Sequence, residues 1–157
     1  MKTIRLAFTA MIVAVVTAAQ PQTSSFVLVS PAEYQAEVAG AAAAETEFEL
    51  FVKGNDVGAP AIQVQKPQID KGVKPPVDIE VRFVPERDVS VNLDSLRILY
   101  GMLRIDVTSR VLEHASVTAQ GVSAPGADLP RGTHTLTIEI ADTLGRTARQ
   151  RFKFEVI

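Results

Sequence analysis

The sequence has no cysteine and no tryptophan, and histidine occurs only at His114 and His134 among 157 residues. A chain without cysteine forms neither a disulfide nor a thiolate metal site. The chain also has no large excess of charge of either sign. The net charge is −2, and no basic run indicates nucleic acid or an anionic membrane as a partner. The fold must therefore be stabilised by its apolar core, and the side chains that most active sites use are few.

Motifs that carry chemistry are missing as well. No serine lies in a G-x-S-x-G setting, and no glycine-rich loop is spaced to hold a phosphate. Neither histidine has further ligands at the spacing that zinc or copper sites need. The sequence thus predicts no catalytic, cofactor-binding or metal-ligating residue, and we expect a protein that is not an enzyme and carries no cofactor.

Residues 1–19 have the layout of a secretory signal peptide. Lys2 and Arg5 supply the positive end, an apolar run covers residues 6–16, and residues 17–19 are small enough for cleavage before Gln20. An uncleaved anchor is the rival interpretation, but a spanning helix needs roughly 20 apolar residues. We therefore expect a periplasmic or secreted protein that meets the membrane only through this signal before cleavage.

An acidic, alanine-rich lead-in is predicted over residues 20–60, with one basic residue against six acidic ones. Ser30-Pro31-Ala32-Glu33 has the form of a capping box with proline at the first helical position. It predicts a short helix from Pro31 towards Glu45. Because its apolar stripe is thin, a tethering role is favoured over a partner-binding one. Alternation at residues 48–52 suggests an edge strand, and residues 54–60 resemble a linker.

Residues 61–157 consist of short alternating runs separated by turn residues, which is typical of an all-β sandwich. About seven strands are expected, and residues 121–128 are interpreted as a loop. The predicted strands centre on residues 62–64, 77–83, 96–100, 103–107, 117–119, 133–140 and 152–156. A single helical turn, capped by residues 106–109, is predicted over residues 110–113.

The closing hairpin organises this region. One run places His134, Leu136, Ile138 and Ile140 on one face, and the next places Phe152, Phe154 and Val156 together. The outward residues Arg149, Arg151 and Lys153 are expected to face Thr135, Thr137 and Glu139 across the two strands. A strand with one apolar face needs a second layer to cover it.

The hairpin residues resemble a known family. L-P-R-G-T-H-T-L at 129–136 and A-D-T-L-G-R at 141–146 resemble the closing hairpin of bacterial immunoglobulin-like domains. P-P-V-D-I-E-V-R-F at 75–83 is similar to an earlier strand of those domains. The resemblance implies an immunoglobulin-like antiparallel β-sandwich over residues 61–157. It implies little about function, because such domains serve as spacers, binding modules and appendages of enzymes.

A more distant similarity is to periplasmic copper-binding proteins of the CopC type. Those proteins begin with a histidine and carry a second one in a D-G-H turn. Here Gln20 stands at the predicted mature start, and the turn at 142–145 reads D-T-L-G. The copper ligands are absent, so copper binding is not implied.

Several polar residues have both a structural and a functional interpretation. His134 is predicted to be a corner residue whose ring bonds nearby backbone, in preference to a metal ligand or catalytic group. Asp142 is predicted to bond turn amides, with Gly145 at positive φ, and His114 to be solvent-exposed beside Glu113. A calcium site is the weaker alternative for the set Asn92, Asp94, Asp106, Asp128 and Asp142.

Two functions remain open. The first is an exported, non-enzymatic immunoglobulin-like module that binds another envelope or extracellular protein or acts as an envelope structural component. The alternative is a periplasmic carrier of a small ligand or metal ion. No nucleic acid partner is expected.

Overall fold

The computed structural model describes residues 25–40, 55–68 and 70–157. The predicted signal peptide, the continuation of the helix towards Glu45 and the predicted edge strand at 48–52 lie outside these residues. The described strands are β1 (Phe26–Val27), β2 (Ala61–Lys66), β3 (Val77–Val84), β4 (Val91–Tyr100), β5 (Ile105–Asp106), β6 (Ser116–Thr118), β7 (Gly121–Asp128), β8 (Gly132–Asp142) and β9 (Thr147–Val156). Residues 31–40 are helical (α1), and α2 covers Thr108–Leu112.

The strands form two sheets. The first has the order β1-β7-β3-β2, with β6 also paired to β7, and the second has the order β5-β4-β8-β9. All pairs are antiparallel except β1 with β7. The predicted all-β sandwich is confirmed.

The core lies between the sheets because alternating residues of the long strands point inward. In β3, every second residue from Val77 to Phe83 is buried. In β8, Leu136, Ile138 and Ile140 are almost fully buried, as Phe152, Phe154 and Val156 are in β9. The facing pattern that alternation predicted for the closing hairpin is therefore confirmed.

The register of the hairpin also agrees with prediction. Lys153, Arg151 and Arg149 lie opposite Thr135, Thr137 and Glu139. The connecting turn closes with the Asp142 N–H donating to the Arg146 carbonyl at 3.1 Å.

The interpretation of residues 121–128 as a loop is wrong: they form β7, which pairs with β1, β3 and β6. Pro125 and the flanking glycines obscured an inward face of Val122, Ala124 and Ala127. Gly121 lies at φ +155, where a side chain would meet the Val81 carbonyl. Glycine is thus required at this position by the close approach of the two backbones. The pairing of β3 with β7 shifts register between Val77 and Ile79, opposite the stretch that contains Pro125 and Gly126.

Two other predictions changed in extent. The expected fourth strand at 103–107 is reduced to the two residues of β5, whereas β4 begins five residues earlier than expected, at Val91. The predicted helical turn is confirmed as α2, and the Asp106 carboxylate accepts from the Thr108 N–H at 2.9 Å.

Residues 25–40, here called the N-terminal strap, comprise β1, a bend and α1. The predicted capping box is confirmed: Ser30 N–H donates to a Glu33 carboxylate oxygen at 2.9 Å, and Glu33 N–H donates to Ser30 Oγ at 3.2 Å. The alternation did not predict β1, which is only two residues long. Leu28 and Val29 enter the core directly after it.

Segments outside the strands cover both ends of β9. Asp56 N–H donates to the Thr147 carbonyl at 3.0 Å, and the Asn55 side-chain oxygen accepts from Arg149 N–H at 2.7 Å. At the other end, Val73 N–H donates to the Glu155 carbonyl at 2.9 Å. Residues 55–56 of the predicted linker are therefore part of the folded unit.

Candidate functional site

His134 lies at the start of β8 and is 1% exposed. Its Nε2 is 2.7 Å from the carbonyl oxygen of Pro130, four residues upstream, and its Nδ1 is 3.0 Å from the hydroxyl of Tyr100. The carbonyl only accepts, so Nε2 carries the proton and the Tyr100 hydroxyl donates to Nδ1. The predicted bond from the ring to nearby backbone is confirmed. Both ring nitrogens are used within the fold.

The surroundings of His134 favour its neutral form. Burial lowers the pKa of His134, and the bond to the Pro130 carbonyl opposes this only in part. Burial, followed by the negative charge of Glu37, raises the pKa of the Tyr100 hydroxyl far above its usual value. Burial therefore favours the neutral form of both groups at neutral pH.

The N-terminal strap closes over this polar pair. The ring of Tyr34 in α1 lies 5.0 Å from that of His134, centre to centre. A side chain at Gly132 would overlap the Tyr34 hydroxyl, so the helix packs directly on the first residue of β8. Tyr34 shields the histidine from solvent.

Carboxylates attach α1 to the sandwich. Glu37 is buried, and its two oxygens accept from the backbone N–H groups of Met102 and Leu103 in the turn after β4. The helix thereby satisfies two donors that the turn itself leaves unpaired.

A second carboxylate makes a paired contact with α2. The Arg110 guanidinium donates to both Glu33 oxygens, at 2.9 and 2.6 Å, and to the Leu28 carbonyl at 3.0 Å. Hydrogen bonds from Arg110, with those from Ser30, lower the pKa of Glu33 to about 2. One arginine thus joins both halves of the strap to α2.

Asp142 supports the hairpin turn as predicted. One carboxylate oxygen accepts from Leu144 N–H at 2.9 Å and from Arg146 N–H at 3.0 Å, while Gly145 has φ +78. Burial alone would raise the pKa of Asp142, but the bonds from Arg146 and Leu144 lower it overall. Arg146 Nη1 also donates to a carboxylate oxygen of Glu86 at 2.7 Å.

The outer face of the second sheet carries one more charge cluster. Glu139 accepts from Arg104 at 2.7 Å and also from Arg149. Burial alone would raise the pKa of Glu139, but the two guanidinium groups lower it overall. The carboxylate is therefore neutralised by its neighbours.

His114 is exposed, as predicted, and its ring stacks on Phe26 with 4.5 Å between centres. The contact joins β1 to the loop after α2. It brings no further titratable ligand to the ring.

The acidic set considered for calcium is dispersed. Asn92 accepts from Asp94 N–H within the irregular part of β4, Asp106 accepts from Thr108 N–H at the start of α2, and Asp142 accepts from amides of the final turn. Within residues 25–40, 55–68 and 70–157, no three His, Asp or Glu side chains lie close enough to hold a metal ion.

Concave surface is found at the end of the sandwich that carries the β2–β3 loop. A cavity of about 480 Å³ lies beneath this loop, lined among others by Lys66, Lys71, Lys74, Val77 and Asp78. A neighbouring one of about 530 Å³ is lined by Lys74, Pro75, Arg131 and Ile157. The two share Lys74, and we call them together the loop-end trough.

Sequence reasoning missed both Glu37 and the trough. Glu33, Glu37 and Gly40 are spaced by four and three residues and therefore lie on one helix face. That spacing could have indicated which face of α1 contacts the sandwich. The residues that carry it are not hydrophobic, so a search for hydrophobic periodicity does not detect it. The lysines lie in a turn whose shape no local pattern specifies.

Comparisons with known proteins gave no match among protein-family models, curated proteins or solved structures. No helix within the described ranges is long and apolar enough to cross a membrane.

Proposed function

We propose that this chain is an exported immunoglobulin-like module, periplasmic or secreted, that binds another protein and has no enzymatic activity of its own. Export is inferred from residues 1–19 alone. The partner is expected to be another envelope or extracellular protein, and an envelope structural role belongs to the same class.

The strand order supports the immunoglobulin-like assignment. Such domains place strands A, B, E and D in one sheet and C′, C, F and G in the other. Here β2, β3, β7 and β6 follow each other in the first sheet, and β5, β4, β8 and β9 in the second. Assigned in chain order, these are the same two sets.

The corner before β8 gives further support. In many of these sandwiches a tyrosine near the start of strand F bonds backbone a few residues upstream. His134 holds the equivalent place and bonds the Pro130 carbonyl.

The use of buried polar groups is the observation that carries the proposed function. Among the described residues five polar or charged ones are buried, and four of them, Glu37, Thr108, His134 and Asp142, are each hydrogen-bonded to a neighbouring part of the fold. Side chains that do chemistry are instead presented to substrate from a pocket. A scaffold that uses its polar groups for its own stability is suited to binding through loops and surface.

A cross-linking pull-down tests this proposal. The tagged full chain, with a photo-cross-linker placed at exposed loop positions, is recovered from envelope extracts of the source cells. We expect a discrete partner band that excess untagged chain removes. Recovery of no competed band from any loop position would remove the proposal's main support.

The alternative, a carrier of a small ligand or metal ion, is favoured by the cavity of about 480 Å³, which is within the usual size of ligand pockets. Thermal melts with calcium, copper, zinc and small organic anions test it, because a ligand selective for the folded state raises the melting temperature. A shift that saturates with one of them would favour the carrier.

A further inference from the structure

The loop-end trough is a concave region whose charged lining the contacts within the fold do not account for. One of its two parts lies under the β2–β3 loop, and Val77 at the start of β3 lines the buried side of that part. Pro67, Val73 and Pro76 add apolar wall. Apolar walls with a few charged groups at the rim are the usual composition of a binding site.

Residues 72 and 73 of the loop are held by contacts within the fold. Val73 N–H donates to the Glu155 carbonyl, and Ile157 N–H donates to the Val73 carbonyl, both at 2.9 Å. Gly72 lies so close to Ile157 that an added Cβ would be 2.7 Å from its side chain. This part of the backbone is therefore preorganised, which lowers the entropic cost of binding.

The charge of the lining is opposite in sign to that of the chain. Lys66, Lys71, Lys74 and Arg131 line the trough with a single acidic side chain, Asp78, and with the terminal residue Ile157, whereas the chain has a net charge of −2. Lys66 is paired with Glu80 at 2.9 Å and lies 3.7 Å from Asp78. Lys71, Lys74 and Arg131 form no ion pair with any described residue.

Concavity distinguishes these cations from ordinary surface lysines. Exposed charges on a convex surface are solvated and contribute little. A recess with low-dielectric walls concentrates the field of its charged groups and attracts ions of opposite sign. Lys74 borders both parts of the trough, so its charge acts on both of them.

The presence of two adjoining recesses favours an extended ligand. They share Lys74, and the further cations lie in different recesses, Lys66 and Lys71 in one and Arg131 in the other. Cations distributed in this way match a chain with repeated negative charges better than one compact anion. Apolar wall between the cations suits the side chains that alternate with the acidic ones.

We propose that the loop-end trough binds an acidic, extended peptide segment of a partner protein, with Lys71, Lys74 and Arg131 contacting its carboxylates. This inference rests on the proposed protein-binding function and names the chemistry of the partner. Point charges such as lysine ammonium groups attract carboxylates without fixing one geometry, which suits a segment recognised by charge spacing.

Peptide binding to the full chain tests the proposal. The probe is a labelled peptide of alternating glutamate and serine with about ten residues, which spans roughly 33 Å when extended. Its counterpart carries glutamine in place of glutamate. Fluorescence anisotropy should show binding at least about tenfold tighter for the glutamate peptide, weakening as salt shortens the screening length from about 30 Å at 0.01 M to about 3 Å at 1 M.

Charge reversal locates the contact. Lys71→Glu with Lys74→Glu should reduce affinity for the glutamate peptide by about tenfold or more. The matched control, Arg82→Glu with Lys153→Glu, changes the net charge equally at exposed strand positions away from the trough and should stay within about twofold. Circular dichroism melts confirm that both variants fold. Equal loss in both variants, or equal binding of the two peptides, would overturn the proposal.

Two further outcomes separate related ideas. If citrate or inorganic phosphate binds as tightly as the peptide, the site is one for small anions and the peptide assignment is wrong. In the cross-linking experiment, a partner captured equally by wild type and by Lys71→Glu with Lys74→Glu would contradict the trough while leaving the proposed function intact. Capture by wild type and the control alone supports both.

Discussion

The closing hairpin and the N-terminal strap both complete the sandwich, but they do so by different forces. The hairpin contributes alternating apolar side chains to the core, so burial of apolar surface holds it. The strap places Leu28 and Val29 in the core, yet its helix is attached by Glu33, Glu37 and the ring of Tyr34. Hydrophobic packing tolerates changes of pH and salt, whereas carboxylate contacts depend on both. The attachment of the helix therefore depends on pH and salt more directly than the apolar packing of the hairpin does.

The largest effect should come from the hairpin core. Leu136→Ala removes a fully buried side chain, and such truncations cost about 2–5 kcal/mol. Denaturant unfolding should show the whole sandwich destabilised. Leu144→Ala in the exposed turn is the control and should change stability by less than about 0.5 kcal/mol. A small effect of Leu136→Ala would mean that the hairpin does not anchor the core.

A pair of glycines compares the two regions directly. Gly101 and Gly145 have φ of +72 and +78, but a side chain at Gly101 would overlap the Glu37 carboxyl, whereas nothing lies within 4 Å at Gly145. Gly145→Ala should cost about 1–2 kcal/mol from backbone strain alone. Gly101→Ala should cost about 1–2 kcal/mol more, because it also displaces Glu37 from its two amides. Equal costs would show that the strap contributes nothing there.

Removal of the Glu37 carboxylate should loosen the strap without unfolding the hairpin. Glu37→Ala frees the N–H groups of Met102 and Leu103, at a cost of about 1 kcal/mol if water replaces the carboxylate. Hydrogen exchange should accelerate at those two amides and in α1, with β8 and β9 unchanged. Faster exchange in the hairpin as well would show that the two regions open as one unit.

Low pH should weaken the attachment of the strap through Glu33, with a smaller effect on stability than the substitutions above. The pKa of Glu33 is about 2 in the fold and near 4.5 without it, so its contribution is present above pH 4.5 and is lost as pH falls towards 2. Because the pair with Arg110 is partly exposed, we expect less than about 1 kcal/mol. Arg110→Ala should abolish this part of the pH dependence in denaturant titrations.

His134 gives the hairpin its own acid dependence. Its pKa is lowered by burial, so the unfolded state binds more protons below about pH 6.5 and stability falls with falling pH there. His134→Gln should remove the slope between pH 7 and 5. A slope that persists in this variant would assign it to another group.

The structure of the hairpin was easier to predict from the sequence than the docking of the strap, because apolar packing holds the hairpin and polar contacts hold the strap. The hairpin faces were predictable because period-two alternation records burial directly. The capping box predicted where α1 begins, since Ser30 and Glu33 bond each other locally. The docking of α1 was not predictable, because Glu37 finds its donors in a turn 65 residues away. In β7, proline and glycine concealed a strand that close packing against β3 demands.

The contact between Glu33 and Arg110 joins residues 77 positions apart, and that between Leu28 and Arg110 joins residues 82 apart. The first part of the described chain to be synthesised therefore finds its partners only after most of the rest has been made. Contacts so distant in sequence slow folding. We expect the strap to remain unattached while β8 and β9 pair, and to dock as one of the last events of folding.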